Sequence, residues 1–272
     1  MQLEGRSAIL TGASRGIGPH IARALARERV NLALVARSGV ELEGSRGRSR
    51  PSEYAQFQSR PISPRSHRDI TVVERAEREI GPIDILINNA GAHHAGALHT
   101  RTAAQVDAVV QVNLVATIDL TRRLLSPMLA RRRGHVVHVA SLAGKVPLPF
   151  FSIYTATTYA LVGFNHALQI ELRGTGVHSS AVCPGTVSGE GMWARTRRGV
   201  HPALGAPTPQ RVARAVVDAV KHERVEQIVN PLPTRPVVAL WALSPRVGAA
   251  VYRMLRIDKF FRVAAEGAES AS

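Results

Sequence analysis

The chain of 272 residues has one cysteine and few lysines, and these shortages limit what it can be. Because Cys183 has no partner, a disulfide framework is excluded, and we predict a protein of a reducing, cytoplasmic compartment. No apolar stretch of about 18 or more residues is present. Glu4 and Gly5 stand where a secretion signal would have its apolar run. The sequence therefore predicts neither a membrane-spanning helix nor a signal peptide.

Lysine is so scarce that arginine carries nearly all the basic charge. Lys145, Lys221 and Lys259 are the only lysines among 35 basic residues, and the net charge is +15. Such a net charge can favour binding to nucleic acid or to an anionic surface. Zinc-finger spacing and the aromatic-basic motif of RNA-binding domains are both missing, so we do not expect a nucleic-acid partner.

Apolar runs alternate with segments of helical spacing, which predicts an α/β protein with a doubly wound, Rossmann-like parallel sheet. The predicted strands cover residues 6–11, 31–36, 83–87, 136–140, 177–182 and 227–229. The predicted helices cover residues 19–29, 71–79, 103–132, 154–173 and 208–222. Thr208 and Pro209 are typical of a helix N-cap and first turn. We predict a single domain over residues 1–230, with a loop at 186–207 and an amphipathic tail at 231–272.

The segment from about residue 40 to 70 interrupts this pattern. Residues 44–68 hold six arginines, six serines and three prolines, and neither helical nor strand periodicity is visible. One interpretation is an exposed, irregular insertion. The other is a slip of the reading frame that recovers near Val72.

The tail interleaves Trp241, Tyr252, Phe260 and Phe261 with basic residues. Such a pattern is typical of a helix that covers the core or makes a subunit contact. The alternative is a basic amphipathic segment on a membrane surface.

A glycine-rich turn at residues 11–18 stands between the first predicted strand and helix. Glycines at such a turn let the backbone approach a pyrophosphate, and the helix N-terminus favours its negative charge.

Five motifs follow in the order found in a known family, and through them the chain resembles the short-chain dehydrogenase/reductase family. They are TGASRGIG at residues 11–18, NNAG at residues 88–91, Asn113, Ser141 with Tyr154 13 residues later, and Pro184-Gly185. The resemblance implies hydride transfer between a nicotinamide cofactor and a carbonyl or alcohol. It implies cofactor binding by Gly12, Ser14, Arg15, Gly16, Ile17, Gly18, Asn89, Ala90, Gly91, Pro184, Gly185 and Val187.

The chemistry of the remaining matched residues agrees with that activity. Tyr154 can donate the proton that an alkoxide needs, and Ser141 can hydrogen-bond the substrate oxygen. By the resemblance, Asn113 holds a water molecule in a proton relay. We expect no metal ion.

Two arginines bear on the choice of cofactor. Arg37 follows the second strand, where an acidic residue would bind the ribose hydroxyl of NAD. An arginine there can pair with the 2′-phosphate of NADP, and Arg15 in the glycine turn favours the same cofactor. We predict NADP rather than NAD, although both could be ordinary surface residues of an arginine-rich chain.

The sequence departs from the family at two places. A lysine is expected four residues after the tyrosine, on the same helix face, where its charge favours an ionised phenol. Thr158 stands there, and Lys145 is the only lysine nearby in sequence. Asp69-Ile70 resembles the pair that ends the third strand and contacts adenine, but the preceding residues make a poor strand.

We therefore predict an oxidoreductase whose activity is reduced by Thr158. The alternatives are a catalytically silent nucleotide-binding member and a damaged gene product. Met192 and Trp193 in the loop favour a small apolar carbonyl or alcohol as substrate. We further expect a homodimer or homotetramer formed through the two long central helices.

Overall fold

The computed structural model describes residues 1–36, 54–58, 68–189, 193 and 199–269, with the backbone alone at 54–58, 68–71 and 268–269. These residues form a seven-stranded parallel sheet in the order β3-β2-β1-β4-β5-β6-β7. Its strands are β1 Ser7–Thr11, β2 Asn31–Ala36, β3 Tyr54–Gln58, β4 Ile85–Asn88, β5 Gly134–Val139, β6 Val177–Pro184 and β7 Glu226–Val229. The predicted parallel α/β architecture is confirmed.

Helices cover both faces of this sheet, as a doubly wound fold requires. They are α1 Gly18–Arg27, α2 Arg68–Ile80, α3 Ala103–Val110, α4 Ala116–Ala130, α5 Ser152–Glu171, α6 Pro209–Lys221, α7 Arg235–Leu243, α8 Pro245–Met254 and α9 Ile257–Glu269. As predicted, Thr208 caps α6, with Pro209 in the first turn.

Two apolar layers hold the helices to the sheet. On one face, Ile21 of α1 and Val216 of α6 pack against Leu10 of β1. On the other face, Leu124 of α4 and Leu168 of α5 join a cluster that contains sheet residues such as Val136 and Leu86. Burying these side chains stabilises the fold by roughly 1.5–3 kcal/mol each.

The strand order reverses at β1, which pairs with β2 on one side and β4 on the other. All five residues of β1 are buried. In open parallel sheets, ligands bind at the carboxyl ends of the strands on either side of such a reversal. The fold therefore places the candidate site at the ends of β1 and β4.

The expectation that residues 44–68 lack regular structure is wrong for part of that range. Residues Tyr54–Gln58 form β3, which pairs in parallel with β2, from Leu32 opposite Tyr54 to Ala36 opposite Gln58. An edge strand needs one partner only, so five residues with a Tyr and a Phe suffice although arginine, serine and proline surround them.

Asp69 and Ile70 do not end the third strand, because both lie in the first turn of α2. The prediction that these two residues end the third strand and contact adenine is therefore wrong. Arg37 and Met192 lie outside the described residues.

The long central helix predicted at 103–132 is interrupted. A capping box between Thr102 and Gln105 opens α3, and a π-helical turn at Gln111–Val115 separates α3 from α4. By length and composition alone, the stretch Ala103–Ala130 could cross a membrane. Of its most apolar 18 residues, 17% are buried in the fold. Leu124 and Met128 of this stretch are nonetheless packed in the core of the sheet.

Two histidines of β5 are fully buried inside the sheet core. His135 Nε2 lies 2.8 Å from Ser180 Oγ, and His138 Nδ1 lies 3.3 Å from Asn88 Nδ2. Burial lowers the pKa of His135 to about 3, with a contribution from His178, and burial lowers the pKa of His138 to about 4. Both imidazoles are therefore neutral in the folded protein at neutral pH.

Candidate active site

The glycine loop at residues 11–18 lies where the sheet order reverses. Gly12 follows β1 with φ of +66°, a left-handed conformation that favours glycine. A Cβ at this position would stand 2.8 Å from the Cα atom of Ala90. Glycine is therefore required for the loop to pass beside the backbone that follows β4.

Hydrogen bonds from Thr11 and Asn89 fasten this loop to the end of β4. Thr11 Oγ1 accepts from the backbone N–H groups of Asn89 and Ala90, each at 3.0 Å. The Asn89 side-chain amide donates to the carbonyls of Thr11 and Gly12, each at 3.1 Å. The NNAG segment thus sets the shape of the glycine loop.

Helix α1 begins immediately behind the loop. A Cβ on Gly18 would overlap the carbonyl oxygen of Gly12 and stand 2.8 Å from Cα of Ala13. No side chain caps this end of α1. The partial positive charge of a helix N-terminus favours an anion there, so this cradle, which two glycines keep open, fits a dinucleotide pyrophosphate.

The turn between β1 and α1 contains four further residues predicted to bind the cofactor. They are Ser14, Arg15, Gly16 and Ile17, of which Arg15 is exposed and Ile17 lines the cavity described below. Gly91, after β4, is also exposed and lines the same cavity.

Ser141 and Tyr154 are brought together by β5 and α5. Ser141 follows the end of β5 in an extended conformation, and its Oγ accepts from the backbone N–H of Ala143 at 3.1 Å. Tyr154 lies in the first turn of α5, where its hydroxyl is close enough to that of Ser141 for the serine to lower the pKa of the phenol. Both side chains line the same cavity.

The surroundings of Tyr154 favour the neutral phenol. Burial raises the pKa of Tyr154, and nearby Cys183 acts in the same direction. The neighbouring Ser141 hydroxyl lowers that pKa, but the net direction is upward. Among the described residues, no cation contributes to the pKa of Tyr154.

Thr158 lies one helical turn after Tyr154 and is almost fully buried. Its hydroxyl donates to the backbone carbonyls of Tyr154 and Thr155, each at 3.0 Å. Serine and threonine in helices commonly make this bond to the preceding turn. Thr158 therefore lines the cavity without supplying a charge to the phenol.

Lys145 is engaged elsewhere. Its Nζ forms an ion pair with Glu226 Oε2 at 2.9 Å, and His166 Nε2 lies 2.9 Å from the same carboxylate oxygen. This lysine therefore does not replace the cation that is missing at Thr158.

Asn113 stands in the middle of the π-helical turn and is buried. Its amide accepts from the N–H of Ala92 at 2.8 Å and donates to the carbonyl of Ala92 at 2.9 Å. It also donates to Thr157 Oγ1 at 3.0 Å, and Thr157 donates to the carbonyl of Tyr154 at 2.9 Å. Asn113 is thus joined through Thr157 to the turn that carries the tyrosine.

These groups surround one cavity of about 1240 Å³, a volume that includes its open mouth. The predicted residues Pro184, Gly185 and Val187 line it at and after the end of β6. An aromatic wall of the cavity consists of Phe151, Trp193, Tyr252 and Phe261. The arrangement offers a proton donor and an apolar chamber beside a nucleotide cradle.

Sequence reasoning missed several residues of this site. His93 lines the cavity, with its ring centroid 6.2 Å from that of Tyr154 and 5.6 Å from that of Phe151. Its position two residues after the NNAG motif is the feature of the sequence that could have identified it. Tyr252 and Phe261 come from the tail, far along the chain, and no motif marks them.

A model of the family described as short chain dehydrogenase matches residues 6–200. The ketoacyl reductase HetN of Nostoc sp. is 38% identical over 97% of this chain and 94% of its own length. The 17-beta-hydroxysteroid dehydrogenase 13 of Rattus norvegicus is 30% identical over 79% of this chain and 72% of its own length.

A solved structure extends these matches to the fold. A metagenomic short-chain oxidoreductase in complex with NADP aligns with a TM-score of 0.70 and 30% identity, over 86% of this chain and 100% of its own. Fold, motif order and site geometry agree with these similarities. The chain belongs to the short-chain dehydrogenase/reductase family and is an oxidoreductase by that membership.

Proposed function

We propose that the protein interconverts a carbonyl and an alcohol with NADP as cofactor and Tyr154 as the proton donor. The observation that carries this proposal is that Ser141 and Tyr154 line the same cavity beside the glycine loop. The bound cofactor supplies the hydride in reduction. The residues of the chain bind the substrate and handle its proton.

In the direction of reduction, the substrate oxygen gains negative charge and needs a proton. Ser141 Oγ donates a hydrogen bond to this oxygen, and the Tyr154 hydroxyl transfers its proton to it. The raised pKa of Tyr154 keeps the phenol protonated before the reaction. We propose that Asn113 holds the water molecule through which Tyr154 regains its proton.

NADP is preferred over NAD in this proposal. Arg15 is exposed at the glycine loop, where it can reach a 2′-phosphate, and Arg37 follows β2 in sequence. The similar metagenomic oxidoreductase was solved in complex with NADP. Titration with NADPH and NADH in parallel tests this preference, which predicts tighter binding of NADPH.

The substrate that fits best is an apolar carbonyl compound or alcohol. Phe151, Tyr252 and Phe261 give the cavity an apolar wall. The names of two relatives, a ketoacyl reductase and a hydroxysteroid dehydrogenase, indicate chain-like and ring-like substrates respectively. A panel that contains both classes of ketone distinguishes them.

Thr158 reduces the rate in this proposal, because no cation assists the loss of the phenol proton. Positioned acid–base catalysis contributes about 10²–10⁴-fold, and we assign about 100-fold of it to the missing charge. The second candidate function is a silent nucleotide-binding protein. The uncharged, helix-bonded Thr158 favours it.

The test combines NADPH binding with turnover. We expect NADPH fluorescence to show saturable binding and the ketone panel to show slow turnover that Tyr154→Phe abolishes while NADPH binding is kept. Binding without turnover above that of Tyr154→Phe would select the silent protein. If NADPH neither binds nor raises the melting temperature, the product is damaged.

We further propose a cytoplasmic homodimer or homotetramer formed through the long helices α4 and α5. Within one chain, only 17% of the most apolar 18 residues of the stretch Ala103–Ala130 are buried. Ile170 near the end of α5 is exposed as well. Light scattering coupled to size exclusion tests this proposal, and a monomeric mass would contradict it.

A further inference from the structure

Helix α7 is apolar in sequence but has no buried residue. It packs on α8, where the Trp241 ring lies 5.0 Å from the Tyr252 ring and Gly248 leaves room for the indole. An apolar helix on the surface of a protein marks a site of interaction.

The outer surface of α7 and α8 presents large apolar side chains at its turns. Leu243, the last residue of α7, is 86% exposed, and Met254, the last residue of α8, is 74% exposed. Val237, Val247 and Leu255 are also exposed. We call the exposed surface of residues 232–256 the outer face.

The charged residues of the outer face are all positive. From Gln227 to Ile257 the sequence contains four arginines and no acidic residue. The four arginines, all of them exposed, are Arg235, Arg246, Arg253 and Arg256. Exposed leucine and methionine among arginines form the pattern that binds at the boundary between anionic headgroups and acyl chains.

The same helices have a second, inward side that belongs to the cavity. Tyr252 of α8 and Phe261 of α9 are buried and line the chamber. The C-terminal helices therefore separate the cavity from the outer face.

We propose that the outer face binds the surface of an anionic lipid bilayer, with Leu243 and Met254 inserted among the acyl chains and the arginines on the headgroups. A second copy of the chain fits this face poorly. A two-fold contact would bring two sets of four arginines together without an acidic partner.

The experiment measures co-sedimentation of the full chain with vesicles of phosphatidylcholine, alone or mixed with phosphatidylglycerol. We expect binding to the mixed vesicles only, weakened by about 0.5 M NaCl because salt screens the arginines. Equal binding to both vesicle types, or no binding to either, overturns the proposal.

Two sets of variants separate the apolar and the charged contributions. Arg246→Gln/Arg253→Gln/Arg256→Gln should weaken binding to mixed vesicles by about 100-fold, from roughly fivefold per arginine. The matched control removes three exposed arginines on other helices or loops, Arg27→Gln/Arg173→Gln/Arg214→Gln, and should weaken it far less.

Leu243→Gln/Met254→Gln should weaken binding at least about tenfold through lost insertion. Its control is Leu98→Gln/Val225→Gln, at two exposed apolar residues outside the outer face and the proposed oligomer interface. The melting temperature and NADPH affinity of every variant should equal those of the parent, which excludes unfolding as a cause. If Leu243→Gln/Met254→Gln instead lowers the oligomeric mass without changing vesicle binding, the face is a protein interface and the proposal is wrong.

Discussion

The two sides of the cavity differ in how many of the groups needed for their function they carry. On the β1 side, Gly12 and Gly18 each stand where a Cβ would meet backbone atoms, and Asn89 fastens the loop from the end of β4. On the α5 side, Tyr154 has its serine partner, but Thr158 brings no charge. Nucleotide binding and proton transfer depend on separate groups, so one can persist while the other weakens.

The largest effect is expected on the nucleotide side, from Gly18→Ala. The added Cβ overlaps the Gly12 carbonyl, and backbone atoms cannot move aside as a flexible side chain can. Strain of about 3 kcal/mol in the cradle should weaken NADPH binding by about 100-fold or more. Isothermal titration measures it, with Gly163→Ala as control, because a Cβ there meets nothing within 4 Å. Unchanged affinity would show that this side is not the nucleotide cradle.

The next effect is expected on the catalytic side, from Thr158→Lys. An ammonium beside the phenol lowers the pKa of Tyr154 and should raise turnover with NADPH by about 100-fold. Thr158→Met, which has a long uncharged side chain, should not. Steady-state kinetics with NADPH and a ketone that the parent reduces gives the comparison. Equal rates for the parent and Thr158→Lys would remove the proposed difference between the two sides.

A third prediction concerns β5, which joins the two sides through the contact of His138 with Asn88. The folded pKa values of His135 and His138, about 3 and about 4, lie below the ordinary histidine value of 6.5. The unfolded chain therefore binds more protons below pH 6.5, and stability falls with falling pH. The free energy of unfolding falls by about 1.4 kcal/mol per histidine for each pH unit, until the pH reaches the pKa of that histidine in the folded protein.

Urea unfolding at a series of pH values measures this loss. His138→Val should reduce the slope by nearly one proton. A slope unaffected by His138→Val would mean that the imidazole is charged in the folded state.

The smallest effect is expected from Thr157→Val, which removes the link between Asn113 and the tyrosine turn. The lost hydrogen bonds should cost about 1 kcal/mol of stability. We expect kcat to fall by about fivefold from misplacement of the tyrosine turn, with NADPH affinity unchanged. A change in NADPH affinity alone would place Thr157 on the nucleotide side.

The sheet and the motif residues were predictable because their signals are local. Buried strands such as β1 are continuous apolar runs, and the glycine loop stands directly between a strand and a helix. The edge strand β3 was missed, because only one neighbour defines it and its five residues stand in an arginine- and serine-rich segment. Likewise, the π-helical turn at Asn113 leaves no mark in apolar periodicity.

The wall of the cavity was not predictable for a different reason. Tyr252 and Phe261 reach Phe151 across about a hundred residues of chain, and only tertiary packing brings them together. The tail pattern indicated an amphipathic segment, but periodicity does not say what each side of a helix faces.

The chain has two tryptophans, and both pack against the aromatic cluster that includes the cavity wall, with Trp193 lining the cavity itself. Trp193 stacks on Phe260 with ring centroids 5.4 Å apart, and Trp241 meets Tyr252. The sheet itself holds no indole. Intrinsic tryptophan emission is therefore a selective reporter of the wall, whereas far-ultraviolet circular dichroism reports the whole fold. Opening of the wall over an intact sheet would appear as an emission change that precedes the loss of ellipticity.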